Sequence, residues 1–382
     1  MAVMVAVIWP SFFTPLQRIK ANLRLYNLFL HDLFERIARR SLLTLKIKNS
    51  HRCHLGHGNI YIRLDTICIR GTMKRKLMGA LLLCLCIGFG NAQEEMPNLD
   101  NVEIITRHIS GNVYMLEATG DVAGNIAVSA GPDGLLLVDT QFAPLAPKIR
   151  QALKKIQPGQ IKYIINTHHH DDHTHGNSAL GASATIIAHD NTRKRLKTMQ
   201  RTLLPHITFK DRLSIYFNGE EIDIIHYPKG HSDSDVVVYF RKSNVVHTGD
   251  LWNSGIWSFP FVDLDAGGTI YGMLRNVKRI IDSVPEDATI IPGHYAASDL
   301  SDLRRTHNML IATIGIVRSK KAKGLSLEQI KREGFPPKYD AWGTAYTNAA
   351  AWIENIYLGL SVHNGGKHFL NLDDRHIKGS DW

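Results

Sequence analysis

The sequence predicts an α/β protein in which two β-sheets pack face to face with helices outside. Three observations carry that expectation. Strand-like patterns lead into a helical pattern twice along residues 101–300. Several strands read as short apolar runs, as strands covered on both faces do. The chain then turns helical after Ser298. A sheet must bury a face against another layer, so strands followed by helix, given twice, fit two sheets with helices outside.

The elements follow in order. From Asn101 the pattern is strand-like, and 112–118 and 125–130 alternate. Gly131-Pro132-Asp133-Gly134 is a turn signal before the apolar run 135–138. Residues 144–156 have helical spacing, with Leu145, Ile149, Leu153 and Ile156 on one face. A buried strand at 161–165 ends in a histidine cluster, and a polar helix is expected at 191–203. Strands are expected at 213–217, 221–227, 236–240 and 245–247. The clearest helix is 269–284, where Ile270, Met273, Leu274, Val277, Ile280 and Ile281 oppose Arg275, Lys278 and Arg279. A buried strand at 288–291 precedes helices at 300–323, 327–333 and 345–360. Trp352, Ile353, Ile356, Tyr357 and Leu360 give the last helix a broad apolar face, whose partner the sequence leaves open.

The formal net charge of +10 would suggest a nucleic-acid or membrane partner, but its distribution argues otherwise. Residues 73–92 join Lys74, Arg75 and Lys76 to an apolar run and the small residue Ala92, the three parts of a secretory signal peptide. That run is too short to span a bilayer comfortably. Cleavage is expected after Ala92, giving a periplasmic or secreted protein that starts at Gln93 and has no stable membrane anchor. Residues 1–72 are expected to be a spurious upstream extension, with translation starting at Met73. The mature chain would keep 31 of the 45 Lys and Arg and 32 of the 35 Asp and Glu, a net of −1. No basic field remains for nucleic acid. Cys53, Cys68, Cys84 and Cys86 all precede Gln93, so no disulfide framework is expected either.

The chemistry concentrates at residues 166–177, NTHHHDDHTHGN, directly after a buried strand. Read as H-x-H-x-D-H, the segment offers His168, His170, Asp172 and His173. A lone histidine is usually a surface or core residue, but four ligand-type side chains within six positions at a strand mouth suit zinc, which takes imidazole and carboxylate at about 2.0–2.2 Å. His231 in a G-H pair, Asp250 in T-G-D and His294 in P-G-H each stand beside a strand at a glycine-containing turn. All of them could gather at one sheet edge.

This ordered set resembles the metallo-β-lactamase superfamily across about residues 102–300. The resemblance implies a four-layered αββα sandwich over 93–305, with a C-terminal helical extension at 306–382. It implies two Zn2+ per chain, the first on His168, His170 and His231, the second on Asp172, His173 and His294, with Asp250 bridging. It further implies a hydrolase in which a metal-bridging hydroxide, oriented by Asp172 acting close to a general base, attacks the carbonyl of a small molecule such as a β-lactam, lactone, ester or thioester. Asp250 stands where several β-lactamase groups carry cysteine or serine, which weakens a transfer of lactam-hydrolysing activity. An RNase Z-like phosphodiesterase is the alternative enzyme, disfavoured by the charge and the signal. A non-catalytic zinc scaffold is the alternative of another class, disfavoured because structural zinc sites are usually closed and often cysteine-built. The oligomeric state is open.

Secondary positions carry two readings each. Asp139 is a support for the imidazoles by resemblance, or a locally satisfied turn aspartate. His175 and Tyr295 stand where family members frequently carry glycine; His175 is a polar contact in the site or an exposed loop residue. Asn177 reads as a helix cap rather than a substrate contact, and Asp233 and Asp235 as turn residues. Trp252, Trp257, Phe259 and Phe261, in the loop after Asp250, form an apolar wall for substrate or pack in the core.

Overall fold

A computed structural model describes residues 98–197, 201–254, 258–344 and 346–362. The expected signal peptide at 73–92 and the upstream 1–72 lie outside these residues, as does Trp257. The first sheet runs in sequence order from β1 (Ile104–Ser110) through β2 (Val113–Ala118), β3 (Ile126–Gly131), β4 (Gly134–Val138), β5 (Ile161–Asn166) and β6 (Thr185–His189) to β7 (Ile207–Phe209). Its first four strands are antiparallel. The last three join in parallel, and parallel neighbours need a crossover. The crossovers are α1 (Ala146–Ile156), the short α2 (Asp171–Thr174) and α3 (Asn177–Leu180), and α4 (Asp190–Leu196).

The second sheet is built from β8 (Arg212–Phe217), β9 (Glu220–His226), β10 (Val236–Phe240), β11 (Val245–His247) and β12 (Thr289–Ile291), ordered β12-β11-β10-β9-β8. Only β11 and β12 pair in parallel, through α5 (Ile270–Ser283). The chain continues in α6 (Leu300–Ala322), α7 (Leu327–Glu333) and α8 (Ala349–Val362).

Side chains alternate across a strand, and that alternation sorts the apolar residues into three cores. Leu136 and Val138 of β4 face inward and meet Ile222 and Ile224 of β9 and Val236, Val238 and Phe240 of β10 between the sheets. Leu135 and Leu137 face outward, under Ile149 and Leu153 of α1. Ile225, Val237 and Tyr239 leave the second sheet on its other face, under Met273, Val277 and Ile280 of α5 and Trp352, Ile353 and Ile356 of α8. Helix, sheet, sheet, helix is therefore the layer order. Each fully buried Leu, Ile, Val or Met contributes about 1.5–3 kcal/mol, so the layers hold without disulfides. Thr269 starts α5, its hydroxyl accepting the Gly272 N–H at 3.0 Å.

Two details depart from expectation. Helix α4 ends at Leu196 and a 3-10 turn covers Arg201–Leu203, where one helix over 191–203 was expected. Strands β6 and β7 were not foreseen; both are short. Position 305, the expected end of the catalytic domain, falls inside α6, and the C-terminal helices share one core with α5 and the second sheet. Among the described residues, no helix is long and apolar enough to cross a membrane.

Candidate metal centre

The polar cluster lies where β4, β5, β11 and β12 end and β10 begins. The segment after β5 is pinned to the second sheet by the Val236 N–H, which donates to the Thr167 carbonyl at 2.8 Å. That bond carries His168–His173 toward the loop of His231. The turns after β11 and β12 add Asp250 and His294. Two glycines permit the convergence. A Cβ on Gly293 would sit 2.0 Å from Asp250 Oδ1, and one on Gly124 would sit 2.2 Å from the His173 ring.

Besides a group of His169, His170 and Asp263, two groups of ligand-type atoms result, each with its atoms within 4.8 Å of one another: His168, His170, His231 and Asp250 in one, Asp172, His173 and His294 in the other. Asp250 faces both. Its Oδ1 lies 3.2 Å from His173 Nε2, and its Oδ2 lies 3.6 Å from His294 Nε2 and 3.9 Å from His231 Nε2. Asp172 Oδ2 lies 3.2 Å from His294 Nε2 and 3.4 Å from His173 Nε2.

The hydrogen bonds assign which nitrogen of four of the five imidazoles faces the cluster. The Thr167 hydroxyl donates to Asp139 at 2.7 Å, so at 3.0 Å it can only accept from His168 Nδ1. His168 Nε2 keeps its lone pair. It is buried and makes no hydrogen bond. His173 Nδ1 donates to Asp139 Oδ2 at 2.7 Å, His170 Nε2 to Asp263 Oδ2 at 3.0 Å, and His231 Nδ1 to the Phe261 carbonyl at 2.8 Å. His173 Nε2 and Asp250 Oδ1 are likewise buried without a hydrogen bond, although only 3.2 Å apart. Buried polar atoms are rarely left unpaired. Three left unpaired where the two ligand groups meet fit a site for cations. An imidazole and carboxylate set with no thiolate fits zinc or a similar divalent ion.

The electrostatics agree with that fit. Burial holds His168 well below the ordinary histidine range, helped by the charge of His173. Burial also pulls His231 down to about 4, with His170 adding to it. Burial opposes protonation of His173 and His294 too, but Asp172 and Asp250 outweigh it. His173 ends well above its ordinary value and His294 at about 9. Asp172 and Asp250 are driven well below the carboxylate range, because the neighbouring histidines overcome burial. These protons occupy positions that a divalent cation would take.

The remaining positions sort clearly. Asp139 is fully buried and holds a left-handed backbone, φ 66°, a strained conformation for a non-glycine residue. Its carboxylate answers with three bonds, from the Thr167 N–H, the Thr167 hydroxyl and His173. It is a support for His173, not a free turn residue. Asn177 is no helix cap: Gly176 takes that place, and the buried Asn177 amide pairs with Asn166 at 2.8 Å and Thr140 at 3.0 Å. His175 lies 3.1 Å from Asp171 on the same turn. Tyr295, at φ 71°, anchors its carbonyl on the Asn125 amide at 2.7 Å.

Of the aromatic loop, Trp252 and Phe259 are core residues. Trp252 Nε1 donates to Thr306 at 3.0 Å, and Phe259 stacks among Phe335, Trp342 and Trp352. Phe261 alone of the described aromatics there reaches the cluster, 38% exposed beside the His170 and His231 rings. Asp235 is a turn residue, its carboxyl pushed up to about 7 by burial and bonded to Ser232. Sequence reasoning missed Asp263 and Thr167. Neither carries a local signal, since Asp263 meets His170 across 93 residues.

Residues 119–294 match the family model described as metallo-beta-lactamase superfamily. A hydroxyacylglutathione hydrolase of Prochlorococcus marinus (strain NATL1A) is 28% identical over 180 residues, 44% of this chain and 65% of that protein. One of Pelagibacter ubique (strain HTCC1062) is 30% identical over 171 residues, 43% of this chain and 66% of that protein. The chain thus spans just under two thirds of these relatives' length. An atrochrysone carboxyl ACP thioesterase of Claviceps purpurea (strain 20.1) is 22% identical over 281 residues, 70% of this chain and 84% of that protein. Among solved structures, a metallo-beta-lactamase from Pontibacter korlensis aligns at a TM-score of 0.47 with 19% identity, over 55% of this chain and 99% of that one.

Proposed function

Because residues 119–294 form a domain of the metallo-beta-lactamase superfamily, we propose that this protein is a metal-dependent hydrolase of acyl thioesters. The observation that carries the reading is Asp250, whose two oxygens face both ligand groups. By the family resemblance, an aspartate at this position is typical of lactonase, thioesterase and nuclease branches rather than of several β-lactamase groups. The relatives named as hydroxyacylglutathione hydrolase and as ACP thioesterase support the thioester.

His168, His170, His231, Asp172, His173, His294 and Asp250 would hold two divalent ions, with zinc favoured by the donor set. Such ions supply Lewis acidity toward a carbonyl oxygen and a lowered pKa for water. The chain's own residues do the rest. Asp139 and Asp263 fix the imidazoles of His173 and His170, so that the site is set before substrate arrives. Asp172, at 24% side-chain exposure the more open cluster carboxylate against 9% for Asp250, orients an attacking water by accepting its hydrogen bond. It remains ionised because His173 and His294 hold it well below the carboxylate range. Water adds to the acyl carbon, the C–S bond breaks, and the thiol leaves. Phe261, open beside His170 and His231, offers the acyl chain an apolar surface. Export directed by residues 73–92 belongs to the same reading.

The test is thiol release from an acyl thioester by the zinc-loaded protein, beside turnover of a chromogenic β-lactam, each with and without a chelator. Chelator-sensitive thiol release with kcat above roughly 1 per second and weak lactam turnover is expected. Lactam turnover without thiol release would overturn the thioester assignment.

A further inference from the structure

The last helix reaches the metal centre through one side chain. Asn355 of α8 forms a reciprocal amide pair with the backbone of Val262, its Nδ2 donating to the Val262 carbonyl and its Oδ1 accepting the Val262 N–H, both at 2.8 Å. Val262 stands between the two groups that hold the histidines of one ligand group. On one side the Phe261 carbonyl accepts from His231 Nδ1 at 2.8 Å. On the other, Asp263 Oδ2 accepts from His170 Nε2 at 3.0 Å, and the Asp263 N–H donates to the His231 carbonyl at 2.8 Å. The far end of this loop is tied to α4. Arg195 there grips Asp233 with two bonds and donates to the Ala266 carbonyl at 2.7 Å.

We infer that Asn355 is a positioning residue for the metal centre, clamping the 261–263 backbone from which His170 and His231 are oriented. The inference rests on the reading of the His and Asp cluster as a metal site. Helix α8 does not depend on Asn355 for its own place. Trp352, Ile353 and Ile356 are fully buried, and Trp352 Nε1 donates to Thr313 at 3.0 Å. Residue 262 lies in neither strand nor helix, so its two backbone groups take their partners from the asparagine. Without it, both groups need new partners, and the carbonyl and carboxylate flanking them lose one anchor, Asp263 keeping its turn bonds from Ala266 and Gly268.

The experiment loads the full chain with Co2+ and compares the parent with Asn355→Leu, Asn355→Asp and Trp352→Phe by visible spectrum, metal titration and melting temperature. Asn355→Leu is expected to change the spectrum of the cobalt on His168, His170 and His231 and to weaken its binding about 3- to 10-fold. That is less than the roughly 10–100-fold typical for removing a direct partner of a ligand. Asn355→Asp, which keeps the acceptor for the Val262 N–H, should fall between Leu and parent. Trp352→Phe should lower the melting temperature and leave spectrum and affinity unchanged. A folded Asn355→Leu with the parent's spectrum and affinities overturns the inference, as does a Trp352→Phe that moves the spectrum equally. If Asn355→Leu does not fold, Asn355→Asp decides by the same criteria. A parent that binds no cobalt overturns the metal reading itself, and the inference with it.

Discussion

His173 hangs from Asp139, a carboxylate with no exposed surface, while His170 hangs from Asp263, whose side chain keeps 21% of its surface open. The first brace sits at the end of β4, inside the sandwich. It shares its two oxygens among Thr167 and His173. The second sits on a loop held from outside by Arg195 and Asn355. One half of the centre is thus part of the folding core, and the other is attached to it. Disturbing the first should cost stability; disturbing the second should cost metal affinity.

The largest expected effect separates the two. Asp139→Ala strands a buried imidazole N–H and two groups of Thr167, and loses about 3–5 kcal/mol of stability, the usual cost of breaking a buried charged pair. Urea unfolding of the metal-free protein measures it. A loss below about 1 kcal/mol would erase the contrast. Asp263→Ala, by comparison, should destabilise the fold less than Asp139→Ala, because its pair with His170 is only part-buried, and weaken one metal equivalent roughly 10–100-fold. Competition with a chromophoric chelator reads this directly.

A finer distinction lies in pH. His173 and His294 are both raised, the latter to about 9, whereas His168 and His231 are lowered and only His170 of their group is raised. In the chelator-stripped protein, protonated His173 and His294 stabilise the fold below pH 6.5; the His294 contribution is lost as pH rises through about 9, and that of His173 well above its ordinary range. A metal must displace these protons. Zinc at Asp172, His173 and His294 should therefore weaken as pH falls below 9 more steeply than zinc at the other group, by about tenfold per pH unit for the one additional proton. Equal slopes, measured by titration between pH 6 and 9, would refute the difference.

What could be read from the sequence divides along the same line. The seven ligand-type residues were legible because four fall within six positions and three sit beside glycine turns at strand ends. The major helices were legible because their apolar periodicity is a local property. Asp263 and Asn355 were not, because each acts across 93 residues on a partner that only folding supplies. Trp252 misled by position: it follows Asp250 by two residues, yet the chain turns it into the helical layer. Strand β7 has only three residues, too few to show alternation, and Asn177 looked like a cap because its role in the buried amide network leaves no local trace.

The reciprocal amide pair between Asn355 and Val262 also has a consequence in time. All seven candidate ligands have been synthesised once His294 is made, but the residue that clamps the loop behind two of them follows some sixty residues later. A nascent chain therefore displays a complete set of donors before it owns the geometry to grade them.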